Sequence, residues 1–118
     1  MKLRSFKYRT SDEEIMDDFD LKGPALKKTL QDLDKVNKWL GGNQITMNGV
    51  EKLLKGRYGK ITIMDVGCGN GMLLRELADS GRRNGQQLEL IGIDANIHAI
   101  KIAREESIAY PEINYFAL

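Results

Sequence analysis

Hydrophobic residues along this chain change their spacing near residue 60. Leu26, Leu30, Leu33, Val36 or Asn37, and Leu40 return at helical intervals, which predicts a helix from Pro24 to Leu40 with one apolar face. Pro24 suits the first helical position, where a missing N–H costs nothing. Gly41 and Gly42 supply the left-handed conformation that ends such a helix. Trp39, near its end, is expected in the core or at an interface. A second helix is expected from about Thr46 to Lys55, with Met47, Val50, Leu53 and Leu54 inward and Gly56 and Gly59 closing it. Ile61, Thr62, Ile63, Met64 and Val66 then form a short β-branched run between glycines, which reads as a buried strand. Met72 to Ser80 reads as a helix through Leu73, Leu74, Leu77 and Ala78, and Gly81 to Gln87 as a polar loop. Leu88 to Ile93 is a second strand, ending at Asp94. Asn96 can cap a helix from Ile97 to about Ile108, Pro111 breaks it, and Ile113 to Leu118 opens a third strand.

Strand, helix, strand, helix, strand predicts an α/β fold with a parallel sheet and right-handed crossovers. Three strands in that succession lie in the order 3-2-1, half of a doubly wound sheet. Residues 1–59 are read as an N-terminal arm and helical cap, and residues 60–118 as the first half of the sheet domain. In the arm, Lys2, Arg4, Lys7 and Arg9 precede Asp12, Glu13, Glu14, Asp17, Asp18 and Asp20, the pattern of a solvated segment. Ser11 with Glu14 fits a capping box, opening a short helix that docks Ile15, Met16 and Phe19 inward.

The length of 118 residues suits one domain, though it is short for a complete α/β enzyme. With 18 basic and 17 acidic side chains the net charge is +1, so neither nucleic acid nor a membrane is expected as a partner. One cysteine, Cys68, excludes an internal disulfide, and with a single histidine no Cys/His zinc site is expected. No apolar run approaches the roughly 18 residues of a membrane span. The basic start has no apolar stretch behind it and is not read as a secretory signal, so a cytoplasmic location is expected.

The candidate chemistry lies in ITIMDVGCGNGMLL, Ile61 to Leu74. Gly67-Cys68-Gly69-Asn70-Gly71 falls at the carboxyl end of the first strand, the edge where open α/β sheets bind ligands. Glycines there allow a sharp turn and a close approach to the main chain. The next helix aims its free N–H groups at the same place. The third glycine comes one residue too early for the dinucleotide pattern G-x-G-x-x-G, and Met72 holds that position. Asp65, two residues before the first glycine, would repel a pyrophosphate and favour a cationic ligand. Asp94, at the end of the next strand, can accept hydrogen bonds from both hydroxyls of a ribose. A cationic nucleoside without phosphate, S-adenosylmethionine, meets these demands. Cys68 reads as a small loop residue whose backbone matters, and His98 as a partly exposed helix residue.

At these residues the chain resembles the class I S-adenosylmethionine-dependent methyltransferases, whose fold is Rossmann-like. IMDVGCGNG is similar to their first motif, and LIGIDAN to the acid that ends their second strand. The resemblance implies that Gly67, Cys68, Gly69 and Gly71 line the methionine moiety, with Asp65 supporting the loop and the amino group. It implies Asp94 on the ribose, and Ala95 with Asn96 near the adenine. It implies transfer of a methyl group to a small-molecule or undetermined acceptor, leaving S-adenosylhomocysteine. Residues 60–118 carry the match, and the preceding helices are similar to the family's N-terminal cap.

Only the first strands of the family's longer sheet are present, so the chain reads as a truncated, cofactor-binding half, with its own activity uncertain and no catalytic residue assigned. The first strand is expected to leave an open apolar edge, Ile61 to Val66, through which copies associate as a homo-oligomer. Two rival readings are a non-catalytic S-adenosylmethionine-binding module on the same fold and an NAD-dependent oxidoreductase fragment.

Overall fold

The computed structural model describes residues 23–39 and 41–118. The arm with its capping box and Ile15, Met16 and Phe19 lies outside them, as do Leu40 and the side chains of Asn37 and Trp39. The elements run α1 (Pro24–Trp39), α2 (Gly42–Leu54), β1 (Lys60–Val66), α3 (Met72–Arg83), β2 (Gln87–Asp94), α4 (Ile97–Glu106) and β3 (Ile113–Ala117).

The three strands form one parallel sheet in the order β1-β2-β3, the 3-2-1 arrangement expected. Asp65 is in register with Gly92, and Asp94 with Ala117, so the functional ends of all three strands lie along one edge. Leu74, Leu77 and Ala78 of α3 and Ile100 and Ala103 of α4 pack with Leu90, Ile113 and Tyr115 of the sheet. Both crossover helices therefore cover the same face. Among the described residues nothing covers the other face: Met64 is 55% exposed, Val66 76% and Phe116 49%. This corrects the reading of β1 as a buried strand. Its alternate residues are half-covered or exposed, because among the described residues it is an edge strand with helices on one side.

The cap also departs from expectation. Leu26 and Leu30 of α1 are buried against Ala99 and Ile102 of α4. Leu33 and Val36, placed on the same inward face, are largely exposed among the described residues, and α4 packs on Leu26 and Leu30 instead. Gly41, in the left-handed region at φ 74°, is the N-cap of α2. That tight reversal lets α2 begin at Gly42 rather than near Thr46. Met47 and Leu54 are buried as expected, but Leu53 is exposed. Helix α3 continues through Gly81 to Arg83 of the polar stretch Gly81 to Gln87 read as loop, and β2 begins at Gln87. Gly81 lies within the helix so close to β2 that a Cβ there would stand 2.6 Å from Leu88 Cδ1. Arg82 and Arg83 suit the helix C-terminus, where the backbone dipole favours positive charge. No described helix is long and apolar enough to cross a membrane.

Candidate functional site

The glycine loop is tied to the end of β2. The N–H groups of Gly67 and Cys68 both donate to the Ile93 carbonyl, at 2.7 and 3.0 Å. The Gly69 N–H donates to Asp94 Oδ2 at 2.9 Å, and the Asn96 N–H to Asp94 Oδ1 at 2.9 Å. One carboxylate thus joins the loop after β1 to the turn after β2. Gly67, Gly69 and Gly71 all have positive φ, at 82°, 56° and 81°, which L side chains rarely adopt. Gly71 is also a steric necessity, since a Cβ there would lie 2.0 Å from the Tyr115 hydroxyl.

Beside this loop is a cavity of about 600 Å³, bounded by the strand ends, the turn at residues 94–96 and helix α1. Its size falls within the roughly 300–1,000 Å³ of small-molecule sites. Of the residues singled out in the sequence, Gly67, Cys68, Gly69, Asp94, Ala95 and Asn96 line it. Asp65 and Gly71 do not: Gly71 is turned against Tyr115, and among the described residues the Asp65 carboxylate takes no hydrogen bond. The structure adds Leu30, Leu33 and Asp34 from α1, with Asn70 and Leu118. Asn70 lies within the glycine motif itself. Asp34 had no such signal, because 36 residues separate it from its partner Asn70.

The charge of the site is acidic. Among the described residues, the charged groups lining the cavity are Asp34 and Asp94. Burial raises the Asp65 carboxyl above the usual carboxylate range, and the neighbouring charge of Asp94 adds to this. Burial also raises Asp34, opposed by its hydrogen bond from Asn70 and by the Arg75 charge. The Cys68 thiol is pushed up to about 12 by burial, with Asp94 and Asp65 contributing. It stays protonated at neutral pH and is no nucleophile.

Asn96 caps α4 as its sequence position suggested. Its side-chain oxygen accepts from the N–H groups of His98 and Ala99, at 2.9 and 3.3 Å. Its Nδ2 is buried and has no partner among the described residues. Such an orphaned donor costs about 1–3 kcal/mol, and it belongs to a residue that lines the cavity. The site therefore suits a ligand with positive charge and hydroxyl donors. An adenine nucleoside bearing a cation fits that description, and a pyrophosphate between two acids does not.

A family described as a methyltransferase domain matches residues 58–110. Among curated proteins, none matches. Among solved structures, the chain is similar to the CMeT domain of a citrinin polyketide synthase, with a TM-score of 0.58 and 22% identity over 64% of this chain. The match covers 21% of that chain's length. This likeness concerns the fold.

Proposed function

We propose, from a chain whose residues 58–110 match the methyltransferase-domain family, that the cavity binds S-adenosylmethionine and serves methyl transfer to a small-molecule acceptor. The observation that carries this reading is the conjunction of a glycine loop with a cavity whose charged lining, among the described residues, is two acids. When bound, the cofactor supplies an electrophilic methyl on a sulfonium. The chain's own residues bind and orient. Asp94 uses one acceptor direction of each oxygen on a backbone N–H, and the others are free for ribose hydroxyls. Gly67 leaves open space where a side chain would stand, with nothing within 4 Å of its would-be Cβ. Leu30, Leu33, Val66, Ile93 and Leu118 give the cavity an apolar side that would suit a compact acceptor. Methyl transfer needs proximity and alignment of an acceptor against the sulfonium methyl, and these residues would fix the cofactor's side of that geometry.

The test is calorimetric titration with S-adenosylhomocysteine, alongside Asp94→Ala and an NAD comparison. Saturable binding that weakens in the variant, with none for NAD, is the expected result. Binding of NAD without S-adenosylhomocysteine would overturn the assignment.

A further inference from the structure

Asp65 does not line the cavity, so a ligand's ammonium group there would need another acid. Lys27 and Asp34 lie seven residues apart, two helical turns, so they share one side of α1. Lys27 Nζ stands 3.9 Å from Glu106 Oε1. Glu106 Oε2 accepts from Arg75 Nη2 at 3.2 Å, and Arg75 Nη1 donates to the Asn70 carbonyl at 2.6 Å. Asn70 Nδ2 in turn donates to the Asp34 carboxylate. This is a closed ring through α1, α4, α3, the glycine loop and back to α1. Between its two anchors Leu30 is buried, 3.8 Å from where a Cβ on Gly69 would lie. Helix α1 is thereby held against the loop, and Asp34 with it.

Asp34 is more than an anchor for Asn70. Only its Oδ2 is engaged, and among the described residues Oδ1 takes no hydrogen bond and no salt bridge. It lines the same cavity as Asp94 and Asn96. The two acids of the cavity meet the loop at consecutive residues, Asp94 at Gly69 and Asp34 at Asn70. A ligand whose ribose engages Asp94 would run along the loop and meet the second acid next.

We propose that Asp34, supplied by the N-terminal cap, binds the ammonium of the ligand's amino-acid end. The proposal rests on the S-adenosylmethionine reading. It gives the cap a binding role: α1 completes the cofactor site with a charge that the sheet lacks there.

Asp34→Asn tests it, because it removes the charge while keeping an oxygen for Asn70. Dissociation constants are measured for S-adenosylhomocysteine and for 5′-methylthioadenosine, which lacks the amino-acid end. D34N should bind S-adenosylhomocysteine roughly 10- to 100-fold more weakly, the range of a hydrogen bond to a charged group. Its affinity for 5′-methylthioadenosine should not change. Asp34→Glu, which keeps the charge, should recover part of the loss. Equal binding of S-adenosylhomocysteine by wild type and D34N overturns the proposal. So does an equal loss for both ligands, which would mean that Asp34 acts through the shape of the cavity. A wild-type chain that binds neither ligand overturns the cofactor reading itself, and this inference with it.

Discussion

Replacing Gly71 by alanine is the sharpest test of why the glycine loop is built as it is. At φ 81° an alanine is left-handed, which costs about 1–2 kcal/mol. The added Cβ would lie 2.0 Å from the Tyr115 hydroxyl oxygen and 2.7 Å from Cζ. Ordinary contact needs roughly 3.5 Å, so the ring must move by about 1.5 Å. It has little room to do so. A Cβ at Gly92 would meet the same ring at 2.6 Å, so Tyr115 already fills the space over β2. Overpacking of this kind costs about 1–3 kcal/mol. Movement also separates the Tyr115 hydroxyl from Ser107 Oγ, now 2.8 Å away and buried, and stranding that pair costs about 1–3 kcal/mol. The sum is about 3–8 kcal/mol, against a total stability of about 5–15 kcal/mol for an ordinary domain. Gly67→Ala is the control: its φ is 82°, but nothing lies within 4 Å of the new Cβ. It should lose only about 1–2 kcal/mol. Urea denaturation of the two variants, with Tyr115→Val added to G71A, separates strain from collision. Part of the G71A loss should return in the double variant. If G71A loses no more than G67A, the steric argument is wrong.

Other consequences concern charge, reactivity and association. Asp65 has a folded-state pKa raised above 3.8 by burial, then by Asp94. Below 3.8 both states are protonated, and stability falls as pH rises from there through the raised value. Asp65→Asn should therefore raise the melting temperature at pH 7, with the gain fading as the pH drops below 4; a destabilised variant at pH 7 would contradict this. Cys68, with its thiol at about 12 and buried, should react with iodoacetamide far more slowly in the folded chain than in urea. Labelling at the rate of a free peptide cysteine would show that the loop opens. If copies pair through the open β1 edge, light scattering at high concentration should give a mass above the 13.3 kDa chain, and Met64→Lys should lower it. A mass of 13.3 kDa at every concentration would exclude that pairing.

Much of this molecule is local in origin, and what is local was legible. The change from helical to strand spacing at Lys60, the glycine loop at a strand end, the acid at Asp94 and the Asn96 cap each follow from a few neighbouring residues and their backbone preferences. The parallel order of the strands follows as well, because short strand–helix–strand connections admit one handedness. What the sequence could not disclose depends on contacts between distant residues. Gly81 reads as a loop breaker until Leu88 is packed against it. Leu33 and Val36 look like core until the structure shows α4 packing on Leu26 and Leu30 instead. Gly71 looks like a ligand contact until Tyr115, 44 positions along the chain, is found filling its side-chain space. Asp34 has no motif at all, and only the docking of α1 on the glycine loop brings its carboxylate to the cavity. Local propensity determined the elements and the loop chemistry. Tertiary packing decided which face each element buries, and which acids share the site, because burial and charge proximity are set by neighbours in space.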